Sequence, residues 1–120
     1  MTMHPQLELL LEIQDLRMQR RGLSDGTMTD LEADVFDIKI EDAIRSLDEK
    51  VEELEGRLAP GVRERYHRIA DKAPRVVAPV LNGICYGCFV ALATARASEA
   101  DRNRRVESCE YCGCFLYHLD

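Results

Sequence analysis

Tryptophan is absent from this 120-residue chain, and aromatic residues make up only 6% of it. Large rings supply much of the area buried in a thick core, so their scarcity, with 32% charged residues, favours exposed, charge-laced helices. Long apolar runs are also missing. No stretch approaches the roughly 18–20 residues that cross a bilayer, so no membrane association is expected. The opening MTMHPQLELL has neither a basic n-region nor a small-residue cleavage site, so no secretory signal is expected and a cytoplasmic location is the default. Phosphate loops, nucleophile elbows and paired catalytic carboxylates do not occur, and a non-enzymatic chain is expected.

Charge is present but unevenly spread. Residues 1–58 carry 15 acidic against 7 basic side chains, whereas residues 59–120 carry 7 acidic against 9 basic. The acidic half is also the periodic half. Leu9, Ile13, Leu16, Arg20 and Leu23 follow a 4, 3, 4, 3 spacing, which predicts a helix over about Pro5–Arg21, opened by a proline where the missing amide has no partner. RGLSDGTMTD then reads as a turn. A capping box, Thr29 to Glu32, starts a second helix, and Ile40, Ile44, Leu47, Val51, Leu54 and Leu58 give it a long apolar seam. A helix over residues 30–58 is about 43 Å long. That exceeds a small core, so an antiparallel coiled-coil hairpin is expected, its longer arm covered by a partner or by a second copy in a homodimer. Asp25 and Asp30 flank the tip, where ordinary turn chemistry accounts for them.

LAPG at 58–61 interrupts the helix, and Val62, Tyr66 and Ile69 mark one face of a short third one, closed by Pro74. RVVAPVLNG is a strand ending in Asn-Gly, the two-residue hairpin signal, and Pro79 predicts a sheet edge or bulge. CFLYHL is a last strand.

Four of the five cysteines form two Cys-x-x-Cys pairs, Cys85 with Cys88 and Cys109 with Cys112, twenty residues apart. Two intervening residues let both sulfurs of a pair reach one ion at about 2.3 Å, so the spacing is that of a four-cysteine zinc site. Redox pairs, an iron–sulfur cluster and buried structural thiols are the alternatives. A redox pair lacks its βαβ context here. One structural Zn2+ is the expected cofactor. It suits a module of about 45 residues, which is near the size below which a core alone rarely suffices. Gly87 and Gly113 are expected to let the knuckles turn tightly. Cys114 stands outside both pairs but, in a strand, on the same face as Cys112.

The order of a Pro-containing helix start, a Tyr-x-x-Ile helix, a Val-rich strand, a Gly-x-Cys-x-Gly-Cys knuckle and a closing Cys-x-x-Cys-Gly-x-x-Leu-Tyr resembles the bacterial C4-type zinc-ribbon proteins. In these an N-terminal coiled-coil hairpin carries a C-terminal ribbon. The resemblance is close over about residues 58–117, and Cys114 replaces a residue that is commonly Arg. It implies a mainly α chain with a small β module, a hairpin with its short helix over 1–75 and a ribbon over 76–120. It also implies a non-catalytic adaptor or regulator. Members are associated with the alternative sigma factor 54, with flagellar or type III secretion components, and with RNA. Independently of the family, Arg96, Arg102, Arg104 and Arg105 between the knuckles, with Tyr86 and Phe89, predict an alternative contact with RNA or DNA.

Overall fold

The computed structural model describes residues 3–25, 30–92 and 103–119, with the side chains of 25–38 outside the description. It holds three helices, α1 (Pro5–Asp25), α2 (Asp30–Gly56) and α3 (Pro60–Ala70). Four strands follow, β1 (Val77–Leu81), β2 (Ile84–Cys85), β3 (Val90–Ala91) and β4 (Phe115–His118). The expected mainly helical chain with a small β module is what forms. No helix among the described residues is long and apolar enough to cross a membrane. The Thr29–Glu32 capping box and the side chains of Asp25 and Asp30 lie outside the described residues.

Helix α1 begins where its sequence marks a start. The Nδ1 atom of His4 accepts from the Gln6 amide at 3.0 Å, occupying one of the donors that a helix start leaves orphaned. It continues past the expected end at Arg21, through Gly22, to Asp25. Glycine in a helix costs about 1 kcal/mol, and two exposed contacts of Arg20 flank it. The Arg20 guanidinium meets Asp48 on α2 at 2.6 Å and Ser24 one turn on at 3.4 Å.

The expected α1 seam is displaced. Leu7, Leu10 and Ile13 are the fully buried residues, while Leu9 and Leu16 are half-buried. The reason is that α1 is covered from two sides. Its buried stripe packs in one cluster with Leu54 of α2, Leu58 just after it, Tyr66 of α3, and Val76, Val77 and Phe115 of the β module. Gln14, one turn after Leu10, accepts from the amides of both Val76 and Val77 at 2.7 Å. Along the expected α2 seam, Ile40, Ile44, Leu47 and Val51 are half-buried, and the sealed positions are Leu54 and Leu58, the latter two residues past the helix end at Gly56.

Helix α2 stops at Gly56, and its last carbonyls are taken by one side chain. The Arg63 guanidinium donates to the carbonyls of Glu55 (3.1 Å), Gly56 (2.8 Å) and Leu58 (2.9 Å). Such carbonyls have no intrahelical donor, so a cation there satisfies both hydrogen bonding and the helix dipole. Pro60 opens α3, and the Ala59 amide before it donates to Gln6 Oε1 at 2.7 Å. The buried Tyr66 hydroxyl donates to the Glu55 carboxylate, so α3 is fixed against the end of α2. Burial, reinforced by that carboxylate, pushes the Tyr66 phenol above its ordinary value.

The sheet has the order β3-β2-β1-β4, with β1 antiparallel to β2 and parallel to β4. Asn82 and Gly83 join β1 to β2 with φ of 54° and 75°, the left-handed pair that a tight hairpin requires. Pro79 is not on an edge as expected. It sits in a strand paired on both sides. The pairing with β2 covers only Val80↔Cys85 and Leu81↔Ile84, so the missing N–H of Pro79 falls just beyond the ladder. Its carbonyl still accepts from the Tyr86 amide at 3.0 Å. Asn103 ties the other end together. Its side chain bonds the His118 amide (2.7 Å) and carbonyl (2.8 Å), and its own carbonyl accepts from the His4 amide at 2.7 Å.

Gln14 is therefore a joint between hairpin and sheet. Replacing Gln14 with Met keeps the volume but strands two buried amides, at about 1–3 kcal/mol for each group. We expect urea unfolding of the zinc-loaded protein to lose about 2 kcal/mol for Gln14→Met and much less for Gln14→Glu, which retains the acceptor. Equal losses for the two variants would show that the acceptor is not what matters.

Candidate metal centre

Two chain reversals of the same plan bring the four paired cysteines together. Strand β2 delivers Cys85, the chain turns through Tyr86 and Gly87 to Cys88, and the Phe89 amide closes the turn on the Cys85 carbonyl at 2.6 Å. In the second reversal the Gly113 amide closes on the Cys109 carbonyl at 3.0 Å, and the Cys109 amide on the Cys114 carbonyl at 2.8 Å. Each turn is followed by a residue in the left-handed region, Phe89 (φ 61°) after Cys88 and Gly113 (φ 82°) after Cys112.

The sulfurs of Cys85, Cys88, Cys109 and Cys112 all lie within 4.8 Å of one another. Cys85 Sγ is 3.8 Å from Cys112 Sγ, and Cys88 Sγ is 3.7 Å from Cys109 Sγ. A tetrahedral ion with four sulfurs at about 2.3 Å sets the sulfur–sulfur edge at about 3.8 Å. The cluster therefore fits one Zn2+. Backbone amides point at the sulfurs from within each turn: Gly87 and Cys88 at Cys85, Tyr111 and Cys112 at Cys109, and Cys114 at Cys112. With four thiolate ligands no coordination position remains, so the ion is structural and supplies folding energy.

Gly87 is needed for a reason other than the expected tight turn. A Cβ there would lie 3.0 Å from Ala78 Cβ and 3.4 Å from Cys112 Sγ, so a side chain would push between strand β1 and the second pair. Gly113 is the position where a left-handed backbone calls for glycine.

Cys114 lies outside the ligand set. Its thiol is buried in the ribbon core and donates to the Arg75 carbonyl at 3.8 Å, and burial pushes its pKa up. Its amide serves the centre by pointing at Cys112. His118 is buried on β4 under the Asn103 clamp and does not join the cluster, which is the single such group among the described residues. Of the four arginines expected at a nucleic-acid contact, Arg96 and Arg102 lie outside the described residues. Arg104 and Arg105 are exposed, and Arg105 meets Glu107 at 3.7 Å.

Tyr86 and Phe89, expected in a patch with the arginines between the knuckles, are joined by Tyr111, which had no sequence signal attached to it. Phe89, Tyr111 and Tyr86 are 73%, 64% and 37% exposed, and all three belong to the two reversals. The rings of Tyr86 and Phe89 meet edge to face at 5.7 Å. A left-handed position after each Cys-x-x-Cys would have singled out Phe89, because glycine fills that place in the second pair.

Without metal, the four thiols are unevenly poised. Burial, outweighing the Gly87 and Cys88 amides, pushes Cys85 up to about 12, and burial likewise raises Cys112 to about 12. Burial also opposes ionisation of Cys109, but the amides of Cys112 and Tyr111 prevail and hold it at about 7. Ligands must be deprotonated, so zinc has to displace the protons of Cys85 and Cys112 at neutral pH. We expect zinc loading of the metal-free protein at pH 8 to release at least two protons per ion, read with a pH indicator in weak buffer. Affinity accordingly falls as pH drops. Release of one proton or none would contradict this arrangement of thiols.

Residues 84–116 match the C4-type zinc ribbon domain, a span that contains all four ligands. No curated protein matches the chain. Among solved structures it is similar to CT398 from Chlamydia trachomatis, with 30% identity and a TM-score of 0.56 over 68% of this chain and 35% of that one. It is also similar to the HP0958 protein from Helicobacter pylori CCUG 17874, at 23% identity and a TM-score of 0.65, over 75% of this chain and 38% of that one. The second likeness speaks for the fold alone. This chain thus matches little more than a third of either relative's length. The two converging Cys-x-x-Cys turns, their sulfur spacing and the family match agree: residues 84–116 of this chain form a four-cysteine ribbon that matches the C4-type zinc ribbon domain.

Proposed function

We propose that the chain is a non-catalytic adaptor or regulator whose zinc ribbon presents an aromatic surface to a protein partner. The setting is transcription or secretion, as the family resemblance implies. The observation that carries this reading is Phe89. Its ring is 73% exposed, so it gains little from burial, yet its backbone is held at φ 61°. That conformation costs a non-glycine residue about 1–2 kcal/mol. Gly113 occupies the matching place in the second pair, so the ribbon geometry is compatible with glycine there. An exposed ring kept at a strained position is a sign of selection for contact with something else. Tyr86 and Tyr111 beside the same turns enlarge the patch, and aromatic side chains are favoured anchors at protein interfaces.

A partner that stacks nucleobases would use the same rings, with Arg104 and Arg105 nearby in sequence. The pairing of Arg105 with Glu107 and the overall charge of −6 favour a protein. The test is Phe89→Gly in the native cell, with the tagged protein cross-linked and captured. We expect a specific partner to be lost while the urea midpoint stays the same or rises, by up to about 1 kcal/mol in stability. A ribbon destabilised by this change would make the ring structural and sink the proposal. Salt-sensitive binding of single-stranded RNA, lost with Phe89→Gly, would replace the protein partner with a nucleic acid.

A further inference from the structure

We propose that the groove between α3 and the ribbon binds an acidic peptide segment, and that this is a second contact of the adaptor, resting on the function proposed above. The groove has a volume of about 470 Å³. One wall is α3 and the residues that follow it, which contribute Arg65, Arg68 and Lys72, with Ile69 and Ala73 as an apolar floor. The facing wall is the second cysteine turn, with Ser108, Cys112, Gly113 and Cys114, together with Gly87.

The charge of this groove runs against that of the molecule. The chain carries a net −6, yet three cations and no carboxylate line the groove. Arg65 is positioned by Ser108 Oγ at 2.9 Å and by the Phe115 ring, 5.1 Å from its guanidinium carbon. Arg68 and Lys72 are exposed and pair with no carboxylate among the described residues. The three cations recur at i, i+3 and i+7, so they span about 10 Å of surface. With zinc bound, the four thiolates leave the adjacent centre at a formal charge of −2, which matches part of this charge and leaves an excess of about +1. Charge alone is therefore insufficient, and the apolar floor has to contribute.

These features define the occupant: carboxylates spread over about 10 Å, flanking an apolar side chain that reaches Ile69 and Ala73. Lys72 and Ala73 also line a second cavity of about 580 Å³, whose wall carries Arg17 and Arg21 beside Asp71, with Arg20 engaged by Asp48. A nucleic acid fits less well, because no aromatic ring lines either cavity to receive a base.

The experiment uses the zinc-loaded full chain and a fluorescein-labelled peptide of glutamates around two leucines, read by anisotropy at low salt. Three controls accompany it: the peptide with glutamine for glutamate, a labelled single-stranded RNA, and the variant Arg45→Glu on α2. We expect R68E/K72E to weaken glutamate-peptide binding about tenfold or more, since two attractions become repulsions. Arg45→Glu should leave it unchanged, and the glutamine peptide should bind weakly. Equal weakening by Arg45→Glu would reduce the effect to general charge and overturn the site. RNA binding that depends on Arg68 and Lys72, with no peptide binding, would also overturn it. Chelator-driven zinc release should be unchanged in R68E/K72E; faster release with peptide binding intact would show that the cations serve only the thiolate centre. Phe89→Gly should leave peptide binding intact, so a failure of the groove and a failure of the aromatic surface are separable.

Discussion

Everything in the ribbon follows from bringing four sulfurs to the corners of a tetrahedron about 3.8 Å on an edge. Cys85 and Cys88 lie more than twenty residues from Cys109 and Cys112, so the chain has to return to its own hairpin to meet that distance. The return strand β4 then lies parallel to β1, and β1 becomes an inner strand of the sheet. Gly87 has no room for a side chain because the second pair and β1 both press against it. Amides converge on sulfur from inside both turns, which lowers the cost of gathering thiolates in one place.

The ribbon is not an appendage of the hairpin. One apolar cluster takes residues from α1, α2, α3 and the start and end of the sheet, so each part lacks a complete core without the other. Polar side chains reinforce the joints. Gln14 holds β1, Gln6 holds the turn before α3, Arg63 closes α2, and Asn103 holds β4 and the chain before α1. Each of these satisfies backbone groups that regular structure leaves open, so orientation between helices and sheet is set by stoichiometric hydrogen bonds as well as by fit.

The sequence was most readable where a single physical rule dominates. The Cys-x-x-Cys spacing, the Asn-Gly turn and the proline at the α1 start were each local, and each corresponds to a local feature of the structure. It was least readable where two neighbours compete for one element. The 4, 3 spacing of Leu9, Ile13 and Leu16 assumed one covered face, whereas α1 has two, and Leu7 and Leu10 became its core. Pro79 looked like an edge residue because the early end of β2 cannot be seen from β1 alone. Gly22 resembled a turn, but α1 runs through it to Asp25, with Arg20 paired to Asp48 of α2 one turn before the helix end. Phe89 was legible as a candidate contact, but its exposure and left-handed backbone, like the clustering of the α3 cations, are properties of the assembled ribbon.

The parallel pairing of β1 with β4 also has a consequence in time. A chain leaving the ribosome exposes Cys85 and Cys88 before Cys109 and Cys112 exist. At about 5–20 residues per second, the 24 residues from Cys88 to Cys112 take roughly 1–5 s to be made. During that interval two thiols stand without their partners, and the apolar strand β1 has only the short β2 hairpin beside it. The nascent ribbon is thus open to oxidation and to wrong strand pairing for as long as the second pair is delayed. Metal capture and the arrival of β4 end that exposure together.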